Sequence, residues 1–120
     1  MDGSPGPLPL LDVVFETIPS MVFVKRADDL TLLRVNAAGQ RFLQRSQAEL
    51  AGKTLFDILD SEQATRFDRA EREVLASGEP ADLGDVRVRL PTGDFWLWVQ
   101  TAPVAEQGAR PSILVTIARD

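Results

Sequence analysis

The side chains that most enzymes use as nucleophiles, general bases and metal ligands are sparse in this sequence. Its 120 residues include neither cysteine nor histidine. Thiolate nucleophiles, disulfides, zinc–thiolate sites and iron–sulfur clusters are therefore excluded. The lack of histidine also removes histidine-ligated haem and every triad or proton shuttle that depends on imidazole. Any catalysis would have to use serine, lysine or carboxylate side chains.

The carboxylates show no pattern that is typical of acid–base catalysis. We expect them in turns and on helix surfaces, with no pair that points inward. Two pairs, Glu62–Arg66 and Asp68–Arg72, have the acid four residues before the base, which is typical of a solvated helix face. Segments 3–6 and 77–78 are not phosphate-binding loops, because neither follows a strand and opens a helix that carries a lysine. The sequence therefore predicts that this chain is not an enzyme.

Charge and composition restrict the partners. The formal net charge of −5 at pH 7 disfavours nucleic acid and anionic membrane surfaces as partners. No apolar run is long enough to span a membrane, and Met1–Leu10 lacks the positive flank of a signal peptide. Length and composition are ordinary for one globular domain. We expect a soluble cytoplasmic domain that neither binds nucleic acid nor inserts into a membrane.

The segment Gly93–Val104 predicts a strand that needs cover on both faces. Every second residue from Phe95 to Val99 is apolar and would share one face, while Trp96 and Trp98 would share the other. A strand with one face in water would instead alternate apolar and polar residues. We therefore expect helices over one face, and a further element or a second protein chain over the other.

The other elements surround this strand in the order helix, strand, strand, several helices and three strands. Residues 1–9 are rich in proline and glycine and predict a flexible leader, and residues 10–18 predict a short amphipathic helix. Asn36 follows a strand and opens a helix, so we interpret it as an N-cap and not as a ligand contact. The remaining strands and helices are predicted at 21–25, 30–35, 37–43, 46–50, 54–59, 61–77, 86–90, 93–104 and 112–118.

Several short segments, taken in this order and spacing, resemble the PAS sensory domains. They are I-P-S-M-V-F-V-K at 18–25, R-V-N-A-A-G at 34–39, Q-A-E-L-A-G-K at 47–53, V-L-A-S-G-E-P at 74–80 and F-W-L-W-V-Q-T-A-P-V at 95–104. The resemblance assigns residues 19–120 to one PAS domain of the α+β class. It implies a five-stranded antiparallel sheet of order B-A-I-H-G, with helices C–F on one face and an N-terminal helix.

The resemblance also implies a role in signal transduction. The first hypothesis is a sensory or regulatory module that relays small-ligand binding, or a dimer rearrangement, to an output domain outside this chain. A histidine kinase of a two-component system or a diguanylate cyclase is the expected output. The second hypothesis is a structural dimerisation and protein-interaction domain that binds no ligand.

The residue inventory excludes histidine-ligated haem and cysteinyl-flavin photochemistry, both of which are known in the family. Haem-binding members use an axial histidine, and flavin-binding light sensors form a bond to a cysteine; both residue types are missing here. The string R-F-L-Q at 41–44 is similar to part of the flavin motif. It precedes the segment Glu49–Gly52, however, whereas the true motif follows it. We assign no cofactor, and an unidentified small apolar ligand remains the candidate.

A cup on the inner side of the sheet would hold such a ligand through apolar walls and a few polar anchors. We predict its lining as Phe42, Leu55, Ile58, Phe67, Val86, Val88, Leu97, Val99, Thr101 and Ile117. Thr101 or Asp57 would serve as the polar anchor. The alternative is that these side chains fill the core and leave no cavity.

The predicted dimer surface combines the N-terminal helix with the tryptophan face. Its residues are Leu11, Val14, Phe15, Ile18, Trp96 and Trp98. The helix is either a lid on the domain's own sheet or a dimer-forming helix, and the two accounts are compatible. This surface predicts a homodimer.

Overall fold

The structure is a computed structural model that describes residues 7–106 and 108–120. Within these residues lie four α-helices, one short 3₁₀ turn and five strands. Their bounds are α1 Pro7–Thr17, β1 Met21–Arg26, β2 Leu32–Val35, α2 Ala37–Leu43, α3 Gln47–Leu50, the 3₁₀ turn Leu55–Asp57, α4 Ser61–Ser77, β3 Ala81–Leu90, β4 Gly93–Val104 and β5 Ile113–Arg119. None of the helices in the described residues is both long and apolar enough to cross a membrane.

The five strands form one antiparallel sheet in the order β2-β1-β5-β4-β3. The central pairing joins the two ends of the chain, since Met21 of β1 lies opposite Ala118 of β5. The N-terminal hairpin and the C-terminal meander therefore belong to one sheet. The expected α+β class and the strand order B-A-I-H-G are confirmed.

Strand β4 gives the sheet two distinct faces. Leu97 and Val99 are buried on the face that packs against α4, which we call the inner face. Trp96 and Trp98 lie on the opposite, outer face, as the alternation predicts. Trp96 is 63% exposed, and Trp98 is half-buried. Within the described residues, no element therefore fully covers the tryptophans on the outer face.

Helix α4 begins and ends where its capping residues predict. Asp60 accepts a hydrogen bond from the backbone N–H of Gln63 at 2.9 Å, which satisfies a free donor of the first turn. Gly78 follows the last residue with φ 74°, a left-handed conformation that favours glycine. The predicted bounds 61–77 are confirmed. Helix α3 also begins with its predicted capping box, Ser46 and Glu49.

Helix α1 starts earlier than the predicted residue 10. Its described bounds are Pro7–Thr17, and a proline is tolerated in the first turn because the N–H it lacks would have no partner there. Residues 7–9 of the predicted leader are thus helical. Residues 1–6 of that leader lie outside the described residues.

Asn36 has the predicted N-cap role and also joins three elements. Its side-chain oxygen accepts hydrogen bonds from the backbone N–H of Gly39 at 3.0 Å and of Val22 at 2.9 Å. Its amide nitrogen donates to the backbone carbonyls of Phe15, Ile18 and Ser20 at 3.2, 3.4 and 2.9 Å. One fully buried side chain therefore ties the end of α1 to β1 and α2.

Candidate ligand-binding site

A cavity of about 50 Å³ lies between the inner face of the sheet and the helices. Seven of the ten predicted lining residues surround it, namely Phe42, Leu55, Ile58, Phe67, Val88, Leu97 and Val99. The other apolar walls are Phe23, Leu43, Leu59 and Ala118. The inner face thus carries a small space, and its lining is mainly apolar.

The remaining three predicted residues do not line this cavity. Val86 lies on β3, where it packs against the adjoining core. Thr101 is buried on the inner face, and its hydroxyl lies 3.0 Å from the hydroxyl of Thr116, which does line the cavity. The prediction for Ile117 is wrong, because this side chain is 39% exposed on the outer face. Its neighbours Thr116 and Ala118 occupy the inward positions of β5.

The proposed second anchor is also remote from the cavity. Asp57 accepts a hydrogen bond from the backbone N–H of Thr54 at 2.9 Å and is exposed. It therefore stabilises the 3₁₀ turn from outside, and the cavity receives no polar group from it.

A buried ion pair lies beside the cavity. The ammonium of Lys25 lies 2.8 Å and 2.7 Å from the two carboxylate oxygens of Glu71, and both side chains are only 2% exposed. Thr116 donates to one of these oxygens at 3.2 Å and contacts Thr101 in turn. Lys25, Glu71 and Thr116 all line the cavity. The polar groups of these residues are bonded to one another and form one connected network beside the apolar cavity.

The expectation that every carboxylate lies in a turn or on a helix surface is wrong for Glu71. The sequence carries a signal for it: Glu71 follows Phe67 by four residues and precedes Val74 by three, which places it on the apolar stripe of α4. Lys25 follows Phe23 by two residues and therefore shares the inward face of β1. Two opposite charges at interior positions require each other, because an unpaired buried charge is costly.

Helix α1 leaves most of its apolar surface open. It packs against α2, and Arg34 of β2 fixes it by an ion pair to Asp12 at 2.8 Å and by stacking on the ring of Phe15 at 4.3 Å. Leu11 and Val14 are 60% and 46% exposed. Phe15 and Ile18 are half-buried. The helix covers part of its own domain, and Leu10, Leu11, Val13 and Val14 project into solvent.

The tryptophan face is the second part of the predicted dimer surface. Trp98 is half-covered by the guanidinium of Arg119, 4.2 Å from the ring centre, while Trp96 stays open. Arg119 directly follows Ala118, a wall of the cavity. The last residues of β5 thus contact the cavity on one face and the tryptophans on the other.

The described residues thus form a five-stranded antiparallel sheet with helices over its inner face and a small cavity between them. The family model described as "PAS fold" matches residues 15–120. The chain therefore belongs to the PAS fold family.

Solved structures agree with this assignment at the level of the fold. The chain is similar to an RNA-binding light-oxygen-voltage receptor (TM-score 0.80, 18% identity), covering 100% of this chain and 37% of that one. It is similar to VqmA of Vibrio cholera in complex with ligand and DNA (TM-score 0.82, 16% identity), and the match covers 97% of this chain and 52% of that one. A PAS domain from a two-component sensor histidine kinase is also similar (TM-score 0.69, 16% identity), and the match covers 93% of this chain and 94% of that one. No curated protein matches the chain.

Proposed function

We propose that this chain is the sensory module of a cytoplasmic signal-transduction protein, in which a small ligand bound in the inner cavity controls an output domain. The observation that carries the proposal is the cavity itself, whose exposed lining is apolar. Ligand sites in proteins are concave and mostly apolar. Similarity to the PAS domain of a sensor histidine kinase makes a histidine kinase the first output to test, and a diguanylate cyclase the second.

Strand β5 supplies the path by which an occupied cavity would act on the rest of the domain. Thr116 and Ala118 line the cavity. Arg119, the last residue of β5, stacks on Trp98 on the outer face. A ligand that displaces the inner side chains of β5 therefore shifts Arg119 at the same time. The change reaches the outer face and the C-terminal end of the sheet, where an output domain or a second subunit would sense it.

Native mass spectrometry of the purified chain tests this function. We expect a small bound mass in addition to that of the polypeptide. The variant Ala118→Val adds two methyl groups at the cavity wall and should lose this mass. The matched control Ile117→Val changes the neighbouring residue on the outer face and should retain it. A bound mass that survives Ala118→Val unchanged would place the ligand elsewhere and refute the proposal.

A second candidate function is structural dimerisation without a ligand, and the exposed apolar surface favours it. We propose a homodimer through α1 and the outer face, since Leu11, Val14 and Trp96 are too exposed for an isolated domain core. Phe15, Ile18 and Trp98 would support the same surface from their half-buried positions. The dimer is compatible with the sensory role, because a rearrangement of its subunits is a second way to reach an output.

Sedimentation equilibrium separates the two candidates. Val14→Glu and Trp96→Gln should each weaken the dimer by at least tenfold, because each places a polar group in the proposed interface. Phe56→Gln is the matched control, since Phe56 is an equally exposed apolar residue on the 3₁₀ turn. A dimer whose affinity is the same in all three variants would exclude this surface. A dimer that is unaffected by cavity variants and carries no bound mass would favour the structural role alone.

A further inference from the structure

The two edges of the sheet differ in how their outward backbone groups are used. At the β2 edge, the N–H and the carbonyl of Leu32 each bond at 2.8 Å to the backbone that follows α3. The side-chain amide of Gln47 accepts from the N–H of Val35 at 2.8 Å and donates to the carbonyl of Leu33 at 2.9 Å. The chain thus covers this edge with its own groups, which is one way in which proteins keep a further strand from pairing there.

The opposite edge is β3, and its backbone groups are satisfied in the same manner at Arg89. The side-chain amide of buried Gln63 accepts from the N–H of Arg89 at 2.6 Å and donates to its carbonyl at 3.0 Å. Both backbone groups of Arg89 therefore point away from β4. These groups alternate in direction along an antiparallel strand, and the register is regular over residues 85–90. The backbone groups of Arg87 and Asp85 therefore point outward as well, and none of residues 7–106 and 108–120 bonds to them.

The open stretch of this edge, residues 85–88, is bounded on both sides. Towards the N-terminus, the register shifts between Asp82 and Gly84, and Gly84 adopts a left-handed φ of 72°. A bulge of this kind interrupts a ladder and bends the strand. Towards the C-terminus, Gln63 already occupies Arg89. A partner strand would therefore find a short, defined place to pair.

The side chains of the open stretch are complementary to those of a second copy. Asp85 and Arg87 are exposed and lie on the outer face, because they pair with Trp98 and Trp96. In an antiparallel pairing centred on Val86, Asp85 of each chain faces Arg87 of the other. Opposite charges at facing positions stabilise paired strands, and like charges destabilise them. The backbone fits the same register, because the residues with outward N–H and carbonyl groups then face one another.

Exposed charges on an edge strand ordinarily hinder pairing with other chains. At this edge they hinder most strands but attract the antiparallel copy, whose charges alternate in the matching order. Arg87 is paired with Asp94 of β4, whereas none of the ion pairs among the described residues includes Asp85. Arg87 of a second copy would supply the missing partner.

We propose that β3 pairs with β3 of a second copy of this chain, in antiparallel register with Val86 opposite Val86. Each Asp85–Arg87 pair exchanges two backbone hydrogen bonds and one ion pair, and the two five-stranded sheets become continuous. So small a contact is typical of weak, reversible association. It lies at the β3 edge, whereas Arg34 fixes α1 to β2 at the other edge. The inference therefore goes beyond the dimer proposed above and does not depend on it.

A single introduced cysteine tests the register, because the chain has none of its own. Val86→Cys places two thiols at facing positions without backbone hydrogen bonds, where Cα atoms lie about 4.5 Å apart. A disulfide spans Cα distances of about 4.4–6.8 Å. We expect a disulfide-linked dimer under mild oxidation with copper phenanthroline. The control Leu33→Cys lies on the covered β2 edge and should link at least tenfold more slowly. Leu33 is 39% exposed and Val86 is half-buried, so random collision would favour the control.

Charge exchange tests the complementarity. All variants carry Val14→Glu, which removes the α1 surface proposed above, and circular dichroism confirms that they are folded. Asp85→Arg or Arg87→Asp places like charges at both facing positions. Each should raise the dissociation constant from sedimentation equilibrium at least tenfold. The double variant Asp85→Arg/Arg87→Asp faces opposite charges again and should restore the original constant. An equimolar mixture of the two single variants should associate for the same reason.

Three results would overturn the inference. A Val14→Glu chain that stays monomeric throughout the concentration series would mean that the charges guard the edge. A dimer with the same affinity in both single charge variants would use another surface. Equal rates of disulfide formation in Val86→Cys and Leu33→Cys would deny the register. All three leave the mass bound to the purified chain unaffected, so the proposed sensory function is decided separately.

Discussion

The buried ion pair gives the sharpest prediction on stability. Removing Lys25 or Glu71 alone leaves the other charge among apolar side chains, with less than a tenth of its surface in water. Such a loss costs about 3–5 kcal/mol. Domains of this kind have total free energies of unfolding of about 5–15 kcal/mol. Lys25→Met and Glu71→Met should therefore each remove a large part of the stability of the fold.

The double variant Lys25→Met/Glu71→Met should be far more stable than either single one. Two methionines replace two long side chains of similar volume, and an ion pair exchanged for apolar packing is often neutral in stability or better. Thr116 loses its carboxylate acceptor but keeps Thr101 at 3.0 Å. We expect the double variant to lie within about 2 kcal/mol of the wild type, so that the coupling energy reaches several kcal/mol.

Equilibrium unfolding in urea measures all four proteins, with the tryptophans of β4 as the fluorescent probe. The control is Arg72→Met, which removes an exposed ion pair to Asp68 on the same helix, at 3.0 Å. It should cost less than about 1 kcal/mol. If a single variant of Lys25 or Glu71 loses no more free energy of unfolding than this control, the buried pair is refuted. A double variant whose loss equals the sum of the two single losses would refute it as well.

Three further predictions concern local structure. Gly39→Ala would place a Cβ 2.5 Å from Cγ1 of buried Val35; it should cost about 1–3 kcal/mol, and an unchanged thermal midpoint would contradict this close approach. Asn36→Ala removes the bonds that hold the end of α1, so hydrogen exchange should accelerate in residues 12–18 while α4 stays protected; equal protection of α1 in both proteins would deny this anchor. The hydrogen bond from the backbone of Gln63 lowers the pKa of Asp60 below its ordinary value of 3.8, so its stabilising effect is complete above pH 4 and is lost as the pH falls through the lowered pKa. Acid unfolding curves should therefore be less steep below pH 4 in Asp60→Asn, and identical slopes would contradict the cap.

Local signals predicted those parts of the fold that local chemistry determines. Asp60 and Gly78 delimit α4 because they satisfy backbone groups within one turn of the helix end. The faces of β4 follow from alternation alone, and the family resemblance supplied the strand order. The predicted start of α1, residue 10, was wrong because a proline-rich segment is typical of a flexible leader as well as of a first helical turn. Pro7 belongs to the first turn only because the residues that follow it are helical.

The parts that the sequence did not predict depend on distant contacts. Strand β5 is apolar at nearly every position, so its pattern does not distinguish the inward Thr116 from the outward Ile117. Lys25 and Glu71 are separated by 46 residues, and charges in a helix and at a strand end ordinarily indicate surface. Each lies on an apolar stripe, but their pairing follows only from the arrangement of β1 beside α4 in the folded domain.

The claim on which the function depends is that the inner face encloses a cavity and not a filled core. Xenon binds apolar cavities in proteins, and methyl spectra of the chain under xenon pressure test the claim most directly. The account predicts shifts for the methyl groups of Val88, Leu97 and Val99, no shift for Ile117 on the outer face, and loss of the effect in Ala118→Val. Unshifted methyl groups on the inner face would mean that these side chains fill the core, and would contradict the ligand-sensing role.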